Sequence, residues 1–88
     1  MIHKSIEIEN ELGLHSRIAA SFVQICSKYR SEIYIEKDDF QINAKSIMGV
    51  MALGASKGEN VNVIVSGPDE QKAIEEIELF FKSLGDLD

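Results

Sequence analysis

The sequence predicts an α+β fold in two layers, with one β-sheet that carries its helices on a single face. The main observation is that apolar residues switch between period two and helical spacing, in the order β-α-β-β-α-β-α. In addition, the two longer helical segments each carry one apolar stripe, and the strand segments are mostly half apolar. One sheet that buries one face beneath the helices accommodates all of these elements. The other face, rich in Glu, Ser, Asn and Tyr, is expected to face water.

The length and composition predict one domain, 1–88, with one hydrophobic core. The chain has 88 residues, of which 44% are hydrophobic, and a formal net charge of −6. The negative charge argues against binding to nucleic acid or to an anionic membrane surface. The single cysteine, Cys26, is expected to be a buried and reduced thiol, as is usual in the cytoplasm. No stretch resembles a secretion signal or a membrane span, so a cytoplasmic protein is expected.

The first half of the chain predicts a strand, a helix and a hairpin. The first strand is predicted from alternating side chains that share one face: Ile2, Lys4, Ile6 and Ile8. It ends at a turn in which Gly13 is the expected turn residue. From Ser16 the spacing becomes helical and predicts a helix that runs to about Lys28 or Tyr29. Two short strands, at 31–37 and 40–44, are predicted to form a hairpin with a tight turn between them.

The second half predicts a short helix, a strand and a long helix. Ser46 is the predicted N-cap of the short helix, and Gly54 is its predicted C-terminal cap. A strand is predicted at 61–65. The last helix is predicted to begin within residues 67–70, where proline and acidic residues suit a first turn, and to end at Gly85. Its apolar stripe comprises Ala73, Ile74, Ile77, Phe80, Phe81 and Leu84.

A candidate anion site lies between the first strand and the first helix, at residues 13–17. A helix start presents unpaired N–H groups and a partial positive charge, and Ser16 is expected to be its N-cap. Arg17 lies in the first turn, where the helix dipole disfavours a cation by roughly 0.3–1 kcal/mol. A residue that breaks a local rule in this way is a candidate functional residue. If an anion binds at the helix start, the guanidinium can hold a phosphate group with two parallel hydrogen bonds.

His15 precedes this helix and is the candidate nucleophile, which makes His15 and Arg17 the candidate catalytic pair. A neutral imidazole can attack a phosphoryl group and form a phosphoramidate that is reactive enough to pass the group on. The phosphoryl group would be held by Ser16, Arg17 and Ile18 at the helix start, so no metal or cofactor is expected. The alternative is that His15 is a surface loop histidine and that Arg17 is a solvated charge.

A second candidate site surrounds Ser46. The short helix that follows carries more apolar side chains than one buried face can accommodate, which predicts an exposed docking patch of Ile47, Met48 and Met51. A phosphate on Ser46 would lie at a helix N-terminus and would add negative charge beside this patch. The alternative is that Ser46 is a structural cap alone and that the apolar residues belong to the core.

Together, the two segments resemble the HPr family of the bacterial phosphoenolpyruvate:sugar phosphotransferase system. Residues 12–17 are similar to the active-site loop of that family, and residues 43–53 are similar to its regulatory segment. The likeness extends over almost the whole chain and includes residues 67–70 before the last helix. The resemblance implies an open-faced sandwich of four antiparallel strands and three helices.

The resemblance also implies partners and residue roles. His15 would accept a phosphoryl group on Nδ1 from phosphorylated enzyme I and give it to the enzyme IIA domains of sugar transporters. Arg17 would orient and neutralise that group. The Ser46 segment resembles the branch of the family in which an HPr kinase/phosphorylase modifies the serine. The phosphoserine form there blocks carrier traffic and binds a catabolite control protein.

One position departs from the family pattern, because Ile18 stands where the family usually has proline. Ile18 keeps an N–H that can bind an anion but lacks the fixed φ of proline, so the transfer rate or the choice of enzyme I is expected to differ. The candidate basic residues for partner docking are Arg17, Lys45 and Lys57. Two alternatives remain open: a regulatory paralogue that acts mainly through phosphorylated Ser46, and an unrelated α+β domain without phosphate chemistry.

Overall fold

The elements of the fold follow the order predicted from the sequence. A computed structural model describes residues 1–87, so the last residue of the predicted domain, Asp88, lies outside the described residues. The helices and strands within that range are β1 (Ile2–Glu7), α1 (Ser16–Ser27), β2 (Glu32–Lys37), β3 (Phe40–Asn43), α2 (Ile47–Leu53), β4 (Asn60–Ser66) and α3 (Glu70–Leu87). No helix in residues 1–87 is long and apolar enough to cross a membrane.

The strands form one open antiparallel sheet in the order β1-β4-β2-β3. In β4 the side chains of Val61, Val63 and Val65 are buried, while the residues between them point to the other face. The same alternation buries Ile33 and Ile35 of β2. The helices cover this apolar face and the polar face is open, so the predicted fold class is confirmed.

The core lies between the sheet and the two longer helices. Phe22 of α1 is fully buried, and its ring centroid lies 6.2 Å from that of Phe80 and 5.4 Å from that of Phe81, both in α3. Cys26, one turn further along α1, is also fully buried, as the sequence predicts. Burial raises the pKa of the Cys26 thiol to about 12, so this thiol stays protonated and acts as a small apolar side chain.

The predicted caps of α2 and the predicted hairpin turn are confirmed. Ser46 is the N-cap, and its Oγ accepts a hydrogen bond from the backbone N–H of Gly49 at 3.2 Å. Gly54 ends the helix in the left-handed conformation, with φ of 65°. The hairpin between β2 and β3 turns at Asp38 and Asp39, and Asp38 has a positive φ of 57°.

The predicted start of α3 within residues 67–70 is confirmed, whereas its predicted end at Gly85 is wrong. The helix begins at Glu70, the last residue of that range, and the residues before it form a turn in which the Gly67 N–H donates to Glu70 Oε1 at 3.0 Å. The helix continues through Gly85 to Leu87. A Cβ at Gly85 would lie 3.1 Å from Cβ of Glu9, so glycine here allows the helix to pass close to the segment after β1.

The loop between α1 and β2 is held against the turn before α3 by the Asp69 carboxylate. This group accepts hydrogen bonds from the backbone N–H of Arg30 and of Ser31, both at 2.9 Å, and from the Ser31 hydroxyl at 2.5 Å. The Ser31 hydroxyl, followed by the Arg30 amide, lowers the pKa of Asp69 to about 2. The folded state therefore favours the ionised form of this carboxylate.

Replacement of Asp69 is expected to change the acid sensitivity of the fold. Because folding lowers the pKa of Asp69 to about 2, its contribution is complete above about pH 4 and is lost as the pH falls through about 2. Asp69→Asn keeps the shape but removes the ionisable acceptor, so the free energy of unfolding should depend less on pH in this range. Urea denaturation at a series of pH values from 2 to about 7 measures this change.

The matched control is Asp39→Asn, in the exposed hairpin turn, where the carboxylate accepts no hydrogen bond within residues 1–87. This variant should keep the pH dependence of the unmodified protein. An Asp69→Asn variant with an unchanged slope between pH 4 and about 2 would contradict the assigned role of the carboxylate.

Candidate functional site

The loop after β1 places His15 directly at the start of α1. The His15 backbone is extended, with φ of −75° and ψ of 175°, and its carbonyl oxygen accepts a hydrogen bond from the Ala19 N–H at 2.8 Å. His15 is therefore the N-cap, and the prediction that Ser16 holds this position is wrong. Ser16 is the first helical residue and is exposed to solvent. The His15 side chain is half-buried and makes no hydrogen bond or ion pair with residues 1–87.

The first turn of α1 presents backbone donors that the protein leaves open. The N–H groups of Ser16, Arg17 and Ile18 have no acceptor among the backbone and side-chain groups that the structure describes. Within residues 1–87 no side chain caps this helix, and its first turn contains no acidic residue. The helix start therefore keeps its partial positive charge, and its donors remain available to an anion.

Arg17 adds a full positive charge to this helix start. Its side chain is exposed and forms no salt bridge within the described part of the chain. A guanidinium without an internal partner can turn toward an anion that binds beside the open amides. Ile18, by contrast, contributes only its backbone N–H to this surface, since its half-buried side chain packs against the core.

The loop before His15 is fixed by a close approach to the segment after α2. Gly13 has a φ of +61°, and a Cβ at this position would lie 2.3 Å from the Ala55 carbonyl oxygen. The next N–H, that of Leu14, donates to the same oxygen at 3.0 Å, and the Leu14 side chain is buried. The turn that the sequence assigns to Gly13 is thus confirmed, and its backbone conformation is one that L side chains rarely adopt.

Sequence reasoning missed Asn10 and Ala55, which hold this loop in place. Asn10 looks like an ordinary turn residue at the end of a strand, yet its side chain is buried and donates to the Gly13 carbonyl oxygen at 2.8 Å. Ala55 acts through its backbone carbonyl, which no side-chain pattern can reveal. The only signal in the sequence was Gly13, which indicated a turn after the first strand. It did not indicate which residues contact that turn.

The second candidate site lies on the outer face of α2. Ser46 is exposed. The exposed fractions of the predicted patch residues are 41% for Ile47, 77% for Met48 and 44% for Met51. Val50, on the inner face of the same helix, is fully buried. The predicted exposure of the apolar patch is confirmed, and its role in docking stays a prediction.

The structure does not bring the three candidate basic residues together in one patch. The Lys45 ammonium lies at the C-terminal end of α1, where it donates to the Tyr29 carbonyl oxygen at 2.7 Å. Arg17 lies at the opposite end of that helix, and 12 residues of α-helix span about 18 Å. Lys57 forms a salt bridge with Glu11 at 2.6 Å, which lowers the pKa of the Glu11 carboxyl group.

Comparison with known proteins gives a consistent result. Residues 2–83 match the family model described as PTS HPr component phosphorylation site. The phosphocarrier protein HPr of Treponema pallidum is 42% identical over 83 residues, which cover 94% of each chain. The HPr-like protein Crh of Halalkalibacterium halodurans is 44% identical over 82 residues, which cover 93% of this chain and 98% of the relative.

A solved structure shows the same likeness in three dimensions. The crystal structure of HPr-C-His from Thermoanaerobacter tengcongensis is 46% identical, with a TM-score of 0.93. The alignment covers 98% of this chain and 97% of that chain. Since the family model, the relatives and the solved structure agree over nearly the full length, this chain belongs to the HPr family of phosphocarrier proteins.

Proposed function

We propose that this protein accepts a phosphoryl group on His15 from phosphorylated enzyme I and donates it to the enzyme IIA domains of sugar transporters in the cytoplasm. One observation carries the proposal: His15, the N-cap of α1, directly precedes three amides without an acceptor, and neither its imidazole nor the Arg17 guanidinium has a partner within residues 1–87. Membership of the HPr family supports the same function.

The geometry suits both transfers of the phosphoryl group, first from the donor to His15 and then from His15 to the acceptor. The lone pair of a neutral imidazole nitrogen of His15 attacks phosphorus, a new N–P bond forms, and the bond between phosphorus and the donor breaks with its electron pair. The amides from Ser16 to Ile18 and the Arg17 guanidinium donate to the phosphoryl oxygens, so negative charge is stabilised throughout. In the second transfer a nucleophile of the enzyme IIA domain attacks phosphorus and forms the new bond, while the N–P bond breaks and its electron pair returns to the imidazole.

The proposal includes regulation at Ser46 by an HPr kinase/phosphorylase, with a catabolite control protein as a partner of the phosphoserine form. The exposure of Ser46 beside Ile47 and Met48 supports access by a kinase. A phosphate there adds about −1.5 to −2 charges next to the proposed docking patch of Ile47, Met48 and Met51. Such a charge should weaken docking of an acidic or apolar partner surface.

A second candidate function is a regulatory paralogue that acts mainly through phosphorylated Ser46. The similarity to the HPr-like protein Crh, which is as close as the similarity to HPr, favours this alternative. The presence of Ile18, where the family usually has proline, also favours it. The presence of His15 at the open helix start favours the carrier function instead.

The first prediction concerns the phosphorylated residue. Incubation with enzyme I and radiolabelled phosphoenolpyruvate should give an acid-labile label that maps to His15 by mass spectrometry. His15→Ala should remove the label. His3→Ala should keep it, because the other histidine of the chain lies in β1 on the exposed face. Failure to label the unmodified protein, while a standard HPr is labelled in parallel, would rule out the carrier function.

The second prediction concerns Arg17. Arg17→Gln removes a charged donor to the phosphoryl group, and a charged hydrogen bond is worth about 1.5–3 kcal/mol, so transfer from enzyme I should slow by about tenfold or more. Rapid-quench kinetics measure this rate. The control is Arg30→Gln, which removes an exposed guanidinium beyond the other end of α1. If the two substitutions slow transfer equally, Arg17 contributes only through general charge attraction, and its proposed contact with the phosphoryl group is contradicted.

The third prediction separates the charge of Ser46 from its capping role. Asp and Asn cap helices about equally well, so Ser46→Asp and Ser46→Asn should both keep α2 intact. Only Ser46→Asp adds a negative charge and should slow the phosphorylation of His15 by enzyme I several-fold. The same rapid-quench assay measures both variants. Similar rates for the two variants would contradict regulation by charge at this position.

A further inference from the structure

Asn10 is a buried polar side chain that the proposed phosphoryl transfer does not use directly. Only 3% of its surface is exposed. Its Nδ2 donates to the Gly13 carbonyl oxygen at 2.8 Å, and its backbone carbonyl oxygen accepts from the Gly13 N–H at 3.1 Å. Its Oδ1 is buried and has no hydrogen-bond partner within residues 1–87.

The unsatisfied oxygen makes asparagine a costly residue at this position. A buried acceptor without a partner loses its hydration and gains nothing in return, whereas an apolar side chain avoids that loss. Rotation of the amide group would not help, because Oδ1 would then face the Gly13 carbonyl oxygen. The donor Nδ2 is therefore the group that the structure uses, and a residue that breaks a local rule invites a functional explanation.

The hydrogen bond from Asn10 fixes one end of a particular peptide group. The peptide between Gly13 and Leu14 has its carbonyl held by Asn10 Nδ2 and its N–H held by the Ala55 carbonyl oxygen at 3.0 Å. Leu14, whose side chain is buried, joins this peptide to His15, the residue that caps α1. With both polar groups held, the plane of the peptide is set, and the direction in which the chain enters His15 is set with it.

We propose that Asn10 is a positioning residue for His15, which orients the Gly13–Leu14 peptide so that the imidazole stays beside the open amides of α1. The inference rests on the proposed carrier function. Group transfer depends strongly on the geometry of the reacting atoms, and a displacement of about 1 Å can slow transfer by roughly 100-fold. The docking patch on α2 does not contact Asn10 by any hydrogen bond within residues 1–87.

The kinetic test uses Asn10→Ala in the full chain. With phosphorylated enzyme I as donor, kcat should fall by about tenfold, since the reacting nitrogen is less well placed. KM should stay within about twofold, because the proposed docking patch is intact. Steady-state kinetics with this protein as the varied substrate of enzyme I measure kcat and KM, and urea denaturation gives the folded fraction of each variant. A normal kcat for the folded variant would overturn the inference.

The matched control is Ser31→Ala. Ser31 is also a fully buried polar residue with a side-chain hydrogen bond, but it lies after the other end of α1 and bonds to Asp69. Its loss should lower stability without lowering kcat. If Ser31→Ala and Asn10→Ala lose kcat equally at equal folded fractions, Asn10 has only a general structural role and the inference fails.

A pH profile of Asn10→Asp supplies a readout that depends on the donor itself. An ionised carboxyl group cannot donate to the Gly13 carbonyl oxygen, whereas a protonated one can. Burial favours the neutral form, so transfer by this variant relative to the unmodified protein should recover as the pH falls. A flat ratio across the pH range, at a constant folded fraction, would contradict a role for the donor.

Failure of this inference is distinguishable from failure of the proposed function. If the unmodified protein accepts no label on His15 from enzyme I, the carrier function fails, and the inference fails with it. If the unmodified protein is labelled and Asn10→Ala transfers equally fast, only the positioning role fails. Histidine NMR adds a readout that needs no partner, since Asn10→Ala should shift the ring signals of His15 and leave those of His3 unchanged.

Discussion

The candidate site depends on a contact between two loops that only glycine allows. At Gly13 a Cβ would overlap the Ala55 carbonyl oxygen at 2.3 Å, and the backbone there has a positive φ. Because the two loops approach so closely, the Leu14 N–H reaches the same oxygen and the Leu14 side chain enters the core. The chain then arrives at α1 with an extended residue, His15, as its cap. The position of the imidazole is therefore a consequence of backbone packing some 40 residues away in the sequence.

The starts of the helices show where the protein retains unsatisfied donors. In α2, Ser46 caps the helix with its hydroxyl group, and before α3 the Glu70 carboxylate accepts from Gly67. Only α1, among these described helices, has neither a side-chain cap nor an acidic residue in its first turn. A capping side chain contributes about 1 kcal/mol to stability. The protein thus forgoes local stability at α1 and keeps a surface that an anion can complete.

The sequence predicts the elements well and their long-range partners poorly. Hydrophobic periodicity identifies each strand and helix, because it records which face is buried. The sequence predicts Ser16 as the cap of α1 because serine is a preferred capping residue. The observed cap is His15, because the contact between Gly13 and Ala55 sets the backbone conformation there. Local propensity also fails at Gly85. Glycine commonly ends helices, but here it lies inside α3 and packs against Glu9 near the start of the chain.

The side chains of the candidate site also divide into those that local sequence patterns identify and those that long-range contacts position. His15, Arg17 and the exposed residues of α2 could be named from the sequence, because each stands out locally as a helix-start anomaly or an excess of apolar residues. The burial of Asn10 and the contact between Lys45 and Tyr29 could not be named. Both depend on how loops from distant parts of the chain meet, which periodicity and propensity do not encode.

The position of α2 explains how the two candidate sites can influence each other without a shared hydrogen bond. Before α2, the Lys45 ammonium donates to the Tyr29 carbonyl oxygen at the C-terminal end of α1. After α2, the Ala55 carbonyl oxygen holds the loop that leads to His15. No hydrogen bond within residues 1–87 links Ser46 to His15. Electrostatic effects between exposed groups fade over about 8 Å at physiological salt. A charge on Ser46 would therefore act chiefly on a partner that covers the α2 patch, and only through that partner on the histidine.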